Sequence, residues 1–184
     1  FHAFDLLESP DGELRDKSYA VRLTELTRLF GAYAGSSFDI VPTVHGASAK
    51  RAFVQGLKTS DREGAVFKDL RARWTEGRPA SGGSAIKCKF WATCSCLVSG
   101  INNRRSIVVA LDGRPVGSVT IPPNHRMPRV GQVVEIRYLY VSAPGGSLYQ
   151  PVYLGERDDV SPLDCTFERQ RLKYKPQEDD ARDL

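Results

Sequence analysis

The sequence predicts an α+β chain in two unlike parts, and three observations carry that prediction. Residues 1 to 70 alternate short apolar runs with two stretches of helical periodicity. Residues 86 to 154 are a succession of short strand candidates with no long helix among them. Between the two lies a Gly- and Pro-rich segment, Arg71 to Ser84, that carries arginines rather than apolar residues. Alternating elements followed by a run of strands point to an α+β architecture or to two separate domains.

Taken in order, Phe1 to Leu7 reads as a buried strand ended by the turn sequence Ser9-Pro10-Asp11-Gly12. From Ser18 to Phe30, Tyr19, Val21, Leu23, Leu26, Leu29 and Phe30 recur at intervals near three and four. That spacing predicts a helix stopped by Gly31, with Arg15, Arg22, Glu25 and Arg28 on its other faces. Phe38 to Val44 is a strand in which Pro42 marks an edge or an end. A short helix over Ala47 to Leu57 and a compact strand over Gly64 to Phe67 complete the first part.

In the second part the strand candidates are Ile86 to Phe90, Thr93 to Val98, Ser106 to Leu111, Val116 to Ile121, Val133 to Val141 and Leu148 to Leu154. Asp112-Gly113 is a hairpin signal between two of them. Short strands at this density predict a small barrel or a sandwich. The expected domains are residues 1 to 91, residues 92 to 175, and a disordered acidic tail over 176 to 184.

Length and composition fit a globular protein: 184 residues, 41% hydrophobic and 26% charged. No apolar run approaches the ~18 to 20 residues that span a bilayer, and no signal-peptide pattern opens the chain. A cytoplasmic location without a membrane partner is therefore expected. The net charge is +4, and the tail Glu178 to Asp183 holds four acids against Arg182 alone, so the body is more basic than the total. That balance suits a phosphate-rich partner, and equally a solvated surface of scattered charge. Cys88, Cys94, Cys96 and Cys165 form no C-x-x-C pair, which favours reduced, structural thiols over a metal site.

Three segments carry candidate chemistry. In Glu63-Gly64-Ala65-Val66-Phe67-Lys68 an acid and a base bracket an apolar strand; a carboxylate there is a natural ligand for a hard cation. In Ile86-Lys87-Cys88-Lys89-Phe90 the lysines alternate with apolar residues, putting two ammonium groups on one face, where an anion would relieve their repulsion. Surface positions flanking a core strand would look the same. Phe4, in Phe4-Asp5-Leu6-Leu7, is either a core residue or a stacking platform.

In their order and spacing these segments resemble the third, fourth and fifth nucleotidyltransferase motifs of the ATP-dependent DNA ligases, which recur in RNA ligases and capping enzymes. Pro151-Val152-Tyr153-Leu154-Gly155-Glu156-Arg157-Asp158-Asp159 resembles the sixth, with Arg157 and Asp159 matching its Arg-x-Asp pattern. Ala85 stands where many ligases have tryptophan, and Val160 where a lysine usually follows. The resemblance implies the C-terminal half of an ATP-grasp-like ligase nucleotidyltransferase domain followed by an OB-fold barrel. It implies ATP and Mg²⁺ as cofactors and nicked duplex DNA as partner. It assigns nucleotide contacts to Phe4, Glu63, Lys68, Arg78, Lys87, Lys89, Arg157 and Asp159, with Glu63 also at the metal.

Ligases of this family carry AMP on the lysine of a K-x-D-G segment. The Asp-Gly pairs here, Asp11-Gly12 and Asp112-Gly113, are preceded by Ser9 and Ala110 at the lysine position. No catalytic residue is therefore assigned, and the chain alone is expected to form no AMP adduct. A segment upstream of Phe1, or a second polypeptide with the K-x-D-G half, is expected to complete it. The alternatives are a nucleic-acid-binding OB-fold module without catalysis, or an RNA ligase or capping-type relative.

Overall fold

The computed structural model describes residues 1–33, 37–77 and 82–175. It separates into two compact units, the first formed by Phe1–Gln55 with Ala65–Cys88, the second by Gly56–Gly64 with the chain from Lys89 onward. Among the described residues no helix is long and apolar enough to cross a membrane.

The first unit contains β1 (His2–Ala3), β2 (Glu8–Ser9), β3 (Gly12–Glu13), α1 (Tyr19–Phe30) and β4 (Asp39–Ile40). The helix α2 (Ala47–Thr59) runs out of it, and β5 (Gly64–Lys68) pairs with β6 (Ala85–Lys89). β1 and β4 are parallel, with His2 opposite Asp39, and α1 lies between them in sequence. β2 and β3 make a minimal hairpin across Pro10-Asp11. Ser18 caps α1 by accepting from the Val21 N–H at 3.4 Å, the role a serine serves at that position.

Several expectations for this unit need correction. The strand expected over Phe1 to Leu7 is two residues long, with Phe1 82% and Phe4 57% exposed. It ends because the Asp5 side chain accepts from its neighbour, the Leu6 N–H at 2.9 Å, and turns toward α1. Gly31 does not stop α1 in a left-handed conformation; its φ is −59° and the chain continues into a 3-10 turn over Gly31–Tyr33. Arg22 is not on an outer face but buried on the same stripe as Tyr19 and Leu26. The apolar residues of β6 do not face a core: all five of its positions are exposed, Ile86 by 55%.

The second unit is built on β7 (Ala92–Asn102), β8 (Ser106–Leu111), β9 (Arg114–Thr120), β10 (Val133–Tyr138) and β11 (Val152–Glu156). They form one antiparallel sheet in the order β11-β10-β7-β8-β9. Alternation places Val98, Ile107, Val109, Leu111, Val116, Val134, Ile136 and Tyr138 inside, each essentially without solvent contact. Asp112 and Gly113 have φ of 48° and 71°. Both are the left-handed values of a two-residue type I′ turn, and Leu111 pairs directly with Arg114 across it. Cys94 and Cys96 share the inner face with Sγ atoms 3.6 Å apart, and all four cysteines are free thiols.

The expected barrel appears among the described residues as an open five-stranded sheet, since no ladder joins β9 to β11. The approach of the two edges is made by other means. The Leu148 N–H donates to the Val116 carbonyl at 2.8 Å, and Pro151 lies where a Cβ on Gly117 would meet it at 3.7 Å. Pro151 has no N–H to offer a ladder, so β11 begins only at Val152.

Candidate functional site

In the first unit the chemistry gathers around Asp5. Arg22 grips its carboxylate with both edges of the guanidinium, Nε to Oδ1 at 2.8 Å and Nη2 to Oδ2 at 3.1 Å. Its remaining nitrogen, Nη1, donates to the Lys17 and Ala72 carbonyls at 2.7 and 3.3 Å. The pair is almost fully buried, the side chains being 4% and 7% exposed. Burial of such a pair is tolerable only when its hydrogen-bonding capacity is filled in this way.

Lys68, at the end of β5, is the third charged member. Its Nζ donates to the Phe4 carbonyl at 3.0 Å and lies 3.6 Å from Asp5 Oδ2. It also sits 4.8 Å from the Phe4 ring centroid and 4.1 Å from that of Tyr19. Burial lowers its pKa, opposed by the Asp5 charge and assisted by Arg22. Burial also raises the Tyr19 phenol, helped by Asp5, and that hydroxyl donates to the Phe4 carbonyl at 3.1 Å. Lys68 and Phe4 are thus brought together, with the Phe4 ring largely open to solvent. Lys87 is exposed on β6, and Arg78 lies outside the described residues.

The second unit holds Glu63, Lys89, Arg157 and Asp159. Arg157 and Asp159 form a bidentate pair at 2.7 and 2.8 Å, and Arg157 Nη1 reaches Glu135 at 2.9 Å. Glu135 is fixed in turn by the Ser95 hydroxyl at 2.7 Å. Its Asp159 hydrogen bond pushes the Arg157 pKa up, and the same pair lowers that of Asp159. Both arginine and acid are therefore firmly charged. Lys89 Nζ donates to Gln150 Oε1 at 2.6 Å and lies 5.3 Å from the Trp91 ring.

Glu63 is exposed, and its carbonyl accepts the Phe90 N–H at 2.8 Å. Burial raises the Tyr140 phenol, and the Glu63 and Tyr149 charges add to this. Among the described residues no group of three or more His, Cys, Asp or Glu is arranged to hold a metal ion. Glu63 stands as a single carboxylate donor. Its carboxylate is hydrogen-bonded to the Tyr140 hydroxyl.

Four participants were not foreseen as site residues. Asp5 sits inside the FDLL segment, Arg22 interrupts an apolar stripe at helical spacing, and Glu135 lies on β10. Lys173 donates to the Arg62 and Phe90 carbonyls, both at 2.9 Å. The buried stripe position was the available signal for Arg22; nothing in local periodicity marks Glu135 or Lys173.

No family model matches the sequence, and no curated protein matches it. Solved structures do. The chain superposes on a Lig E DNA ligase, described as binding DNA with a minimal scaffold, with a TM-score of 0.64 and 21% identity over 85% of this chain and 63% of that one. It superposes on a ligase designated Pmar-Lig_Pre with a TM-score of 0.65 and 17% identity over 85% of this chain and 44% of that one. In fold, then, the chain resembles the ATP-dependent DNA ligases, and it spans less than two thirds of the length of these solved chains.

Proposed function

We propose that this chain is the C-terminal part of an ATP-dependent DNA ligase, sealing nicks in duplex DNA when a polypeptide with the K-x-D-G half completes it. The observation that carries this reading is the fold shared with a Lig E ligase across 85% of the chain, together with the ordered motif residues. In this reading residues 1 to 91 are the back of the adenylation domain and residues 92 to 175 the OB-fold, with 176 to 184 a tail. The exposed Val66, Phe67 and Ile86 of β5 and β6 support a missing partner, since apolar surface of this kind marks interaction sites.

The residues divide the work by chemistry. Phe4 offers its ring to a base, while Lys68 presents an ammonium fixed by the Phe4 carbonyl and Asp5. Lys87, Lys89 and Arg78 supply positive charge toward phosphates. Arg157, held by Asp159 and Glu135, is a preorganised fork for a polyphosphate. Glu63 would hold Mg²⁺ with the nucleotide's oxygens; bound there, the cation would neutralise charge developing on the phosphates.

Incubation with α-labelled ATP and Mg²⁺ is expected to leave this chain unlabelled, because the lysine that attacks the α-phosphate is not in it. Added K-x-D-G polypeptide should become labelled and, with this chain, seal nicked DNA in preference to nicked RNA. A labelled band at the mass of this chain, or nick sealing by the second polypeptide unaffected by its presence, overturns the proposal. Saturable DNA binding with no sealing in any combination would favour the binding-module reading instead.

A further inference from the structure

On the outer face of the second unit's sheet, one arginine has no acid. β10 alternates, with Val134, Ile136 and Tyr138 buried and Glu135 and Arg137 turned outward. Glu135 accepts from Ser95 and Arg157, both at Oε2, and forms its ion pair with Arg157. Arg137, two residues along on the same face, takes part in no ion pair among the described residues, and its Nε is buried without a hydrogen-bond partner. Its guanidinium lies 4.7 Å from the Trp91 ring centroid, and Lys89 lies 5.3 Å from the same ring. Two cations therefore share one indole, and among the described residues the lysine's hydrogen bond is to a neutral amide, that of Gln150.

A buried donor left without an acceptor is costly, and more so when it is charged. Two like charges on one ring add repulsion that water only partly screens. The repulsion reverses when an anion with several acceptor oxygens meets the two cations. The planar fork suits a tetrahedral oxyanion, the indole fixes its plane, and the lysine adds a compact second charge. Gln150 sits at a φ of 53°, a left-handed value that strains a non-glycine residue, so the residue that positions Lys89 is itself held in a strained turn.

We infer that Arg137, Trp91 and Lys89 form a phosphate-binding subsite on the sheet face, separate from the Arg157 fork. Its ligand is a phosphate oxyanion, supplied either by a nucleic-acid backbone or by a polyphosphate chain. The identification of the partner rests on the ligase reading above; the subsite itself rests on the unpaired guanidinium and its stacking.

The test uses the whole chain with Trp74→Phe, so that Trp91 is the sole tryptophan emitter. Titration with a 5′-phosphorylated nicked duplex and, separately, with inorganic tripolyphosphate should change its emission saturably in at least one arm, and the arm with the tighter response identifies the source. Arg137→Met is expected to weaken that binding roughly tenfold and, for the duplex, to reduce the slope of log K against log salt by about 0.9. Arg137→Lys should keep the slope while losing affinity. If Arg137→Met lowers the melting temperature, Lys89→Met, at an exposed position, is expected to show the same loss of slope on an intact fold.

Wild-type affinity and slope in both methionine variants would overturn the subsite, as would an absence of binding in both arms. Should that occur while the completed enzyme still seals nicks, the ligase reading stands without it. Phosphate binding that depends on Arg137, with no sealing in any combination, is the reverse result.

Discussion

The two units differ in what organises them. In the second, a five-stranded sheet covers a continuous apolar interior, and residues such as Ile107, Leu111, Ile136 and Tyr138 have lost essentially all contact with solvent. In the first, the buried apolar residues among those described are Ala3, Tyr19 and Leu26, and the densest set of interactions is ionic, Arg22 with Asp5 and Lys68 beside them. The second unit is therefore held by area removed from water, which tolerates many substitutions of similar volume. The first depends on one buried charge pair, whose partners cannot be replaced singly.

The sharpest way to break this contrast is to remove Arg22. Arg22→Ala leaves the Asp5 carboxylate buried beside Lys68 alone, and a loss of about 3 to 5 kcal/mol is expected. Urea unfolding followed through Trp74, in a Trp91→Phe background, reads the first unit. If the Trp91 transition moves by the same amount in the reciprocal background, the units share one cooperative core and the contrast is wrong.

Leu111→Ala should do the converse, costing about 2 to 5 kcal/mol in the Trp91 transition while leaving that of Trp74 in place. An equal shift in both would again merge the units.

A smaller effect concerns pH. Burial, first, and the neighbouring thiols push the Tyr138 phenol up to about 12, and the hydroxyl accepts the Lys173 N–H at 3.0 Å. The unfolded chain gives up this proton near pH ~10, so between that value and about 12 the folded state binds more protons. Its contribution is complete below the unfolded value and is lost as pH rises through the folded one. Stability of the second unit should therefore fall across this interval, and Tyr138→Phe should flatten the decline measured by urea unfolding at stepped pH.

The contrast also explains what could be read in the sequence. Ser106 to Leu111 was legible to the residue, as was the Asp112-Gly113 hairpin, because a two-residue period and a turn chemistry act over neighbours. The fold resemblance to ligases was legible through the order of the motifs. What failed lay in the ionic unit. Phe1 to Leu7 has a strand's composition, yet Asp5 is claimed by an arginine 17 positions away, which periodicity cannot reveal. Arg22 was assigned outward because arginine is rarely buried; only the partner makes its position intelligible. Strand number predicts a small barrel or a sandwich, and the last strand of the open sheet begins directly after Pro151, a residue without an N–H to extend its ladder.

The path of the chain between the units bears on how such proteins can be recombined. The segment Gly56–Gly64 belongs to the second unit although Ala65–Cys88, which follows it, belongs to the first. Its Arg62 carbonyl accepts from Lys173, and its Glu63 carbonyl from the Phe90 N–H. A genetic crossover placed at residue 91 would transplant the sheet without this strip, leaving the half-buried Lys173 ammonium with neither of its two acceptors. Interleaving of this kind ties the inheritance of the two parts together: the strand-rich half travels intact only if a short piece of the other half's reading frame travels with it.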